Sequence, residues 1–142
     1  MCLHIKYSGK IAKHNITCYK ILLCEDNIVK TPAMRAMVPA ACLAGEEPYT
    51  PEFIPSPNDL EQDIVCGIIG EGFIHTFSFR LRARLMYDFI KEEQNNGYFD
   101  KQDVPMIWKC IIPKGTYYFE GHDDTAHQCY ASREIIFKKR IK

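Results

Sequence analysis

Two histidines, two aspartates and one cysteine lie within eight residues, in the segment His122-Asp123-Asp124-Thr125-Ala126-His127-Gln128-Cys129. Imidazole, carboxylate and thiolate are the ligands that zinc and related transition metals take from proteins. The spacing matches no established zinc motif, and the segment lacks a helical pattern that would hold both histidines on one face. The sequence therefore predicts a polar connection between strands here, with no metal site.

His75 lies at a predicted junction between a strand and a helix, just before Thr76-Phe77-Ser78. Histidine exchanges protons close to neutral pH and can hydrogen-bond a ribose hydroxyl, so His75 is a candidate catalytic residue. The alternative is a structural histidine between apolar neighbours. Among the aromatic residues of the C-terminal half, Tyr130 beside the polar segment is the best candidate for stacking a ligand, while the others are expected to pack across strands.

Charge and cysteine content limit the classes of partner. Lys plus Arg and Asp plus Glu both number 18, so the formal net charge is zero, and neither nucleic acid nor a membrane surface is expected as the main partner. The cysteines are odd in number, form no CxxC motif and are expected to be free thiols: Cys2, Cys18, Cys24, Cys42, Cys66, Cys110 and Cys129. We therefore expect a cytoplasmic protein, in a bacterium or an infected host cell, with no signal peptide or membrane span.

The elements that would position these residues form one α+β domain over residues 1–142, with a mixed, mostly antiparallel sheet. A hairpin is expected near the start of the chain and a second one after the turn Pro113-Lys114-Gly115. Residues 121–128 are expected to form a loop. The predicted strands cover residues 15–24, 28–29, 63–69, 73–77, 106–112, 116–120 and 133–137.

One principal helix is predicted over residues 79–94, with Ser78 as its N-cap and Asn95-Asn96-Gly97 as its end. Leu85 and Phe89 fall on a 3.6-residue period, so this face is expected to be buried. Six prolines between residues 31 and 57 exclude long regular structure there. We expect a short helix or turn within residues 33–44 and a proline-rich surface loop at residues 45–58, which in a compact domain often has a function.

Three segments together resemble a group of small uncharacterised proteins encoded by phages and prophages of gut bacteria. The segments are residues 16–22, 71–77 and 108–118 with 130–132, and the most specific part is Cys110-Ile111-Ile112-Pro113-Lys114-Gly115-Thr116. The resemblance covers about half of the chain and implies no assigned activity.

The order of segments also resembles the ADP-ribosyltransferase-like fold, in which a first strand carries Tyr-Arg or His, a middle segment precedes a helix, and a late strand carries Glu. The matching positions here are Tyr19-Lys20, residues 73–78 and Glu134, with Lys20 in place of arginine. The resemblance implies that Glu134 holds a ribose hydroxyl and stabilises an oxocarbenium-like state, while Lys20 or His75 positions a phosphate or ribose of NAD.

These observations leave three classes open: a degenerate ADP-ribosyltransferase-like enzyme, a non-catalytic binder of an NAD-related nucleotide, and a module that binds a host protein through the proline-rich loop. The nucleotide hypothesis assigns catalytic roles to His75 and Glu134. It assigns ligand binding to Tyr19, Lys20 and Tyr130, and requires no metal.

Overall fold

The computed structural model describes residues 3–5, 9–32, 36–51, 57–58, 68–69 (backbone only) and 72–142. These residues form ten strands and two helices: β1 (Leu3–Ile5), β2 (Lys10–Ile11), β3 (Ile16–Glu25), β4 (Ile28–Lys30), α1 (Ala40–Leu43), β5 (Ile68–Ile69), β6 (Ile74–Phe77), α2 (Arg80–Asn95), β7 (Val104–Ile112), β8 (Tyr117–His122), β9 (Gln128–Ser132) and β10 (Ile136–Arg140). Most of the predicted strand at residues 63–69 and part of the proline-rich loop lie outside the described residues. Neither described helix has the length and hydropathy of a membrane span.

The strands form one sheet in the order β10-β7-β3-β6-β9-β8-β1-β5, with β2 added at β8 and β4 at β3. Every pairing between these strands is antiparallel. The predicted mostly antiparallel sheet with one principal helix is confirmed, and the described residues fit an α+β or a mostly β class.

The central strand β3 buries side chains on both faces of the sheet. Because neighbouring residues of a strand point to opposite faces, Ile21 and Leu23 pack on one face with Ala83 and Ile90 of α2. Cys18 and Leu22 pack on the other face, in a second core cluster that includes Cys42 of α1. The sheet therefore has an α2 face and an α1 face.

The predicted bounds of the principal helix are confirmed within one residue, but the predicted buried face is wrong. Leu85 and Phe89 are 47% and 50% exposed, whereas Ala83, Ile90 and Gln94 are buried. The apolar residues of α2 occupy more than one side of the helix, and the small side chain of Ala83 lies on the side packed against the sheet. Ser78 is not the N-cap, because Phe79 occupies that position in an extended conformation without a side-chain hydrogen bond.

The first predicted hairpin is confirmed, and the second is wrong. Asp26 and Asn27 have φ of 49° and 66°, the left-handed conformation of a tight turn, and join β3 to β4. By contrast, β7 pairs with β3 over nine registered positions and with β10, while β8 pairs with β9, β1 and β2. The turn after β7 thus carries the chain to another part of the sheet, because the long pairing with β3 and the pairing with β10 occupy both edges of β7.

The region after residue 120 also differs from the expectation. The structure has a strand at Gln128–Ser132, which was not predicted and which begins at the last residue of the expected loop. The last strand is Ile136–Arg140, three residues later than the predicted strand at residues 133–137. The polar ends of β9 hide its strand character in the sequence. Ser132 is nevertheless fully buried, and its hydroxyl donates to the carbonyl of Glu134.

Candidate functional site

The sheet is weakly joined between β3 and β6. These two strands share a single registered pair, Tyr19 with Phe77, although β6 pairs with β9 over four positions. A side chain supplements this junction: the Nζ atom of Lys20 donates to the carbonyl oxygen of His75 at 2.8 Å. The sequence thus places a cationic side chain at the junction where a single registered pair joins two halves of the sheet.

Several polar side chains surround Lys20 on the α1 face of the sheet. The register pairs Cys18 with Cys110 and Thr76 with Tyr130, and strand alternation brings Ser78 to the same face as Thr76. We call these residues the Lys20 cluster: Cys18, Lys20, Thr76, Ser78, Cys110 and Tyr130.

The positive charge of the Lys20 ammonium is only weakly balanced by its surroundings. Removal from water lowers its pKa to about 8, although the nearby sulfur atoms of Cys110 and Cys18 act in the opposite direction. Within the described part of the chain, no carboxylate lies at ion-pair distance from it. Lys30 provides the contrast, because its ammonium contacts Glu25 at 2.9 Å and Asp103 at 2.8 Å.

The two thiols of the cluster do not supply the missing negative charge. Burial raises the pKa of Cys18 to about 12, even though Thr76 and Lys20 lower it. Burial also raises the pKa of Cys110 far above the ordinary value of a thiol. Both residues therefore stay protonated near neutral pH and behave as small, unreactive core side chains.

The hydroxyl groups of the cluster add hydrogen-bond donors. The hydroxyls of Thr76 and Ser78 approach the Cys18 thiol and the Tyr130 hydroxyl, but among the described residues neither has a partner with hydrogen-bond geometry. Tyr130 is half-buried, its pKa is raised by burial, and its ring packs edge-on against Tyr118 with centroids 6.0 Å apart. The cluster thus groups an ammonium, an aromatic ring and the buried hydroxyls of Thr76 and Ser78 on one face of the sheet.

The structure divides the five residues proposed from the sequence among three places. Lys20 and Tyr130 lie on the α1 face, while strand alternation puts Tyr19 and His75 on the α2 face, where Tyr19 packs against the core. Glu134 accepts a hydrogen bond at 3.2 Å from Thr116, which precedes β8 on the side of β9 away from β3.

The segment that was considered for metal binding is held together by Asp123. This buried carboxylate accepts hydrogen bonds from Thr125 and from the backbone N–H of His127, and it contacts Arg82 of α2 at 3.0 Å. Burial alone would raise its pKa, but these bonds and the Arg82 guanidinium hold the pKa of Asp123 below its ordinary value. Asp123 therefore ties the loop to the helix.

Beside this loop, His4 stacks on His122 with ring centroids 5.2 Å apart and contacts Asp124 at 2.6 Å. The described residues contain no group of three side chains that could hold one metal ion. Cys18, Cys24, Cys42, Cys110 and Cys129 are free thiols, and Cys2 and Cys66 lie outside the described residues.

Sequence reasoning identified Lys20 and Tyr130 but missed Cys18, Thr76 and Ser78. The available signal was the period of two along a strand, since Cys18 and Lys20 on β3, and Thr76 and Ser78 at β6, are each two residues apart. What the sequence did not show is that β3 and β6 are neighbours. Comparisons of the chain with protein-family models, with curated proteins and with solved structures find no match.

Proposed function

We propose that the protein binds a small anionic ligand of the nucleotide type, NAD or a related compound, at the Lys20 cluster. The observation that carries this proposal is the half-buried Lys20 ammonium, which has a backbone carbonyl as its hydrogen-bond partner and no carboxylate among the described residues. A buried charge without a counter-ion is costly, and an anionic ligand removes that cost.

The chemistry of the cluster fits a phosphate group. An ammonium has three donors, of which Lys20 uses one for the His75 carbonyl, so two can point to a ligand. The hydroxyls of Thr76 and Ser78 supply further donors, and charge-assisted bonds to phosphate are stronger than neutral ones. Tyr130 offers an aromatic ring for the base or nicotinamide.

An ADP-ribosyltransferase-like arrangement is the finer form of this proposal. The thin junction between β3 and β6 supports it, because a ligand could lie where the two halves of the sheet separate, with Lys20 in the position of the family's arginine. Glu134 accepts a hydrogen bond from Thr116 on the other side of β9, away from Lys20. Because the glutamate of the family would therefore not reach a ligand at Lys20, we propose that the nucleotide binds without turnover.

Titration of intrinsic fluorescence tests the proposal. The single tryptophan, Trp108, is the backbone partner of Lys20, so it reports on this face of the sheet. NAD, ADP-ribose and inorganic phosphate are titrated separately, with calorimetry as a second readout. We expect the nucleotides to bind, with affinity that falls as the pH rises above about 8 and Lys20 loses its proton.

Lys20→Met should weaken nucleotide binding roughly 10- to 100-fold, the range of one lost charge-assisted hydrogen bond. The matched control is Lys109→Met, since Lys109 is exposed on the neighbouring strand and pairs with Tyr19 on the other face. No binding by the wild-type protein, or equal affinity in Lys20→Met, would overturn the proposal. Release of nicotinamide from NAD would favour the enzyme alternative.

A second candidate function is recognition of a host protein through the proline-rich loop. A cavity of about 280 Å³ lies between the loop at residues 47–51 and α1, with Met37 and Cys42 in its lining. Such a cavity can accept one apolar side chain of a peptide. Selection from a peptide library, repeated with Thr50→Trp to fill the cavity and with the exposed Thr17→Trp as control, tests this alternative.

A further inference from the structure

A row of hydrogen-bond donors crosses the α1 face of the sheet from the Lys20 cluster to the edge strand β10. In the register of the sheet, Trp108 of β7 is the partner of Lys20 on one side and of Arg140 of β10 on the other. Residues directly opposite each other on paired strands point to the same face, so the three side chains lie side by side. Because neighbouring strands are about 4.8 Å apart, the backbones at Lys20 and Arg140 are separated by roughly 10 Å.

A β-bulge in β10 puts Arg140 into this row. The register shifts between Phe137 and Lys139, where β10 has one residue more than β7. Without the extra residue, Lys139 would lie opposite Trp108, and Arg140 would point to the α2 face. Bulges at sheet edges often re-aim a side chain towards a functional site. This bulge brings a guanidinium, whose planar fork matches phosphate better than an ammonium does, to the face that carries Lys20.

The three side chains of the row donate hydrogen bonds and accept none. Lys20 donates to the carbonyl of His75, and Nε of Arg140 donates to the carbonyl oxygen of Lys142 at 3.3 Å. The buried Nε1 atom of Trp108 has no acceptor among the described residues. In the same part of the chain, no carboxylate side chain lies at ion-pair distance from either cation. The row therefore lacks both acceptors and negative charge.

We propose that Arg140 forms a second phosphate subsite beside Lys20, so that the site prefers nucleotides with a diphosphate group to nucleotides with one phosphate. This inference rests on nucleotide binding at the Lys20 cluster and names the class of nucleotide. One phosphate bonds to Lys20, and the next lies over Trp108 and meets the guanidinium of Arg140. Nε of Arg140 is occupied, which leaves the two terminal amino groups for a phosphate.

The other end of the row leads to Tyr130 and gives the ligand a direction. The single registered pair between β3 and β6 puts Lys20 opposite Thr76. Thr76 in turn pairs with Tyr130 of β9. The nucleotide therefore lies across the strands, with its base at Tyr130 and its diphosphate pointing to β10. Arg140 is exposed at that edge, so its side chain can follow the terminal phosphate.

Calorimetric titration with AMP and ADP, in the presence of a chelator of divalent cations, tests the subsite because these ligands differ by one phosphate. The wild-type protein should bind ADP roughly tenfold or more tightly than AMP, the range of one charge-assisted contact. Arg140→Met should abolish this preference and leave the affinity for AMP nearly unchanged. Arg140→Lys should keep part of the preference, because lysine retains the charge but not the bidentate fork.

Lys139→Met is the matched control. Lys139 precedes Arg140 in the chain and is likewise exposed, but it pairs with Lys109 and so points to the other face of the sheet. Both substitutions remove one positive charge, so an effect of net charge alone would appear equally in both variants. Circular dichroism checks that each variant keeps its fold. Titrations with inorganic pyrophosphate and phosphate repeat the comparison without a base.

Three results would overturn the subsite while nucleotide binding at Lys20 stands. They are equal affinities of the wild-type protein for AMP and ADP, a preference for ADP that Arg140→Met and Lys139→Met leave alike, and equal losses of AMP and ADP affinity in Arg140→Met. In each case Lys20→Met should still weaken the binding of both nucleotides. If the wild-type protein binds neither AMP nor ADP, the subsite and the proposed function both fail.

Discussion

Lys20 donates from Nζ to the carbonyl oxygen of His75 at 2.8 Å, across the junction where β3 and β6 share one registered pair. The bond connects two halves of the sheet, but it leaves the positive charge of Lys20 without a counter-ion among the described residues. The same side chain therefore stabilises the junction through a hydrogen bond and destabilises the fold through its buried charge.

The pH dependence of stability should reveal this conflict. The pKa of Lys20 is lowered from 10.5 to about 8 in the folded protein, so between these values the unfolded chain binds the proton more tightly. The free energy of unfolding should therefore rise with pH from about 8 to about 10.5, by at most about 3 kcal/mol. Below pH 8 both states are protonated and this contribution is constant.

Urea denaturation of the wild-type protein and of Lys20→Met across pH 7–10.5 isolates the effect. The free energy of unfolding of the wild-type protein relative to that of Lys20→Met should rise with pH, and only Lys20 can cause this change, because the other titrating groups are common to both. Lys109→Met serves as the control and should follow the wild-type curve. Parallel curves for wild type and Lys20→Met would show that the pKa of Lys20 is not lowered.

The sequence contained the local features of the fold but not its long-range pairings. The β3–β4 hairpin was predictable because Asp26-Asn27 favours a tight turn, and α2 ends at the Asn-Gly signal of residues 96–97. The partners of β7 were not predictable, since a Pro-Lys-Gly turn reverses the chain equally well within a hairpin and between distant strands. The pairing with β3 joins residues far apart in the chain.

The same limit applies to the candidate site. The residue types of Lys20 and Tyr130 drew attention to them in the sequence, but their grouping with Thr76 and Cys110 depends on which strands are neighbours. The face of α2 was misjudged for another reason. Leu81, Leu85 and Phe89 repeat with a helical period, and a period cannot distinguish a face buried in the core from one exposed at the surface.

The corrected face of α2 gives a direct test. Ile90 is 2% exposed in the core on the α2 side, so Ile90→Ala should lower the free energy of unfolding by about 2–5 kcal/mol. Leu85→Ala removes the same type of side chain from the exposed side and should change it by less than about 0.5 kcal/mol. Urea denaturation of the wild-type protein and both variants checks this expectation, and a larger loss for Leu85→Ala would restore the original assignment of the face.

The loop that Asp123 ties to α2 should be sensitive to that carboxylate. Asp123→Asn removes the partner of the partly buried Arg82 and weakens the hydrogen bonds from Thr125 and His127, so we expect a loss of about 2–4 kcal/mol at neutral pH. Asp124→Asn is the matched control, because the Asp124 side chain is 76% exposed and its contact with His4 is a surface contact, which contributes little to stability.

Acid titration provides a second measurement of Asp123. Its pKa lies below the ordinary value of 3.8, so its stabilising contribution is complete above that pH and is lost as the pH falls through the lower, folded-state value. The wild-type protein and Asp124→Asn should lose stability in this acid range, whereas Asp123→Asn should show a shallower decline. Equal slopes in all three proteins would contradict the assigned role of Asp123.

Gly121 should be required for the edge of the sheet at β1. It lies in β8 opposite Ile5, and a Cβ atom added there would overlap the backbone carbonyl of His4, which belongs to a paired strand and cannot move aside as a flexible side chain would. Gly121→Ala should therefore displace β1, with a loss of about 1–3 kcal/mol. Hydrogen exchange should show faster exchange of the backbone N–H groups of β1, while those of β3 and β7 stay protected.

Gly115→Ala is the control that separates steric overlap from backbone strain. Gly115 has φ of +90° with no atom within 4 Å of an added Cβ, so alanine there should cost about 1 kcal/mol through its backbone conformation alone. That variant should leave the exchange of β1 unchanged. If Gly121→Ala instead lowers stability without changing the exchange of β1, the close approach of β8 to His4 is not what requires glycine at this position.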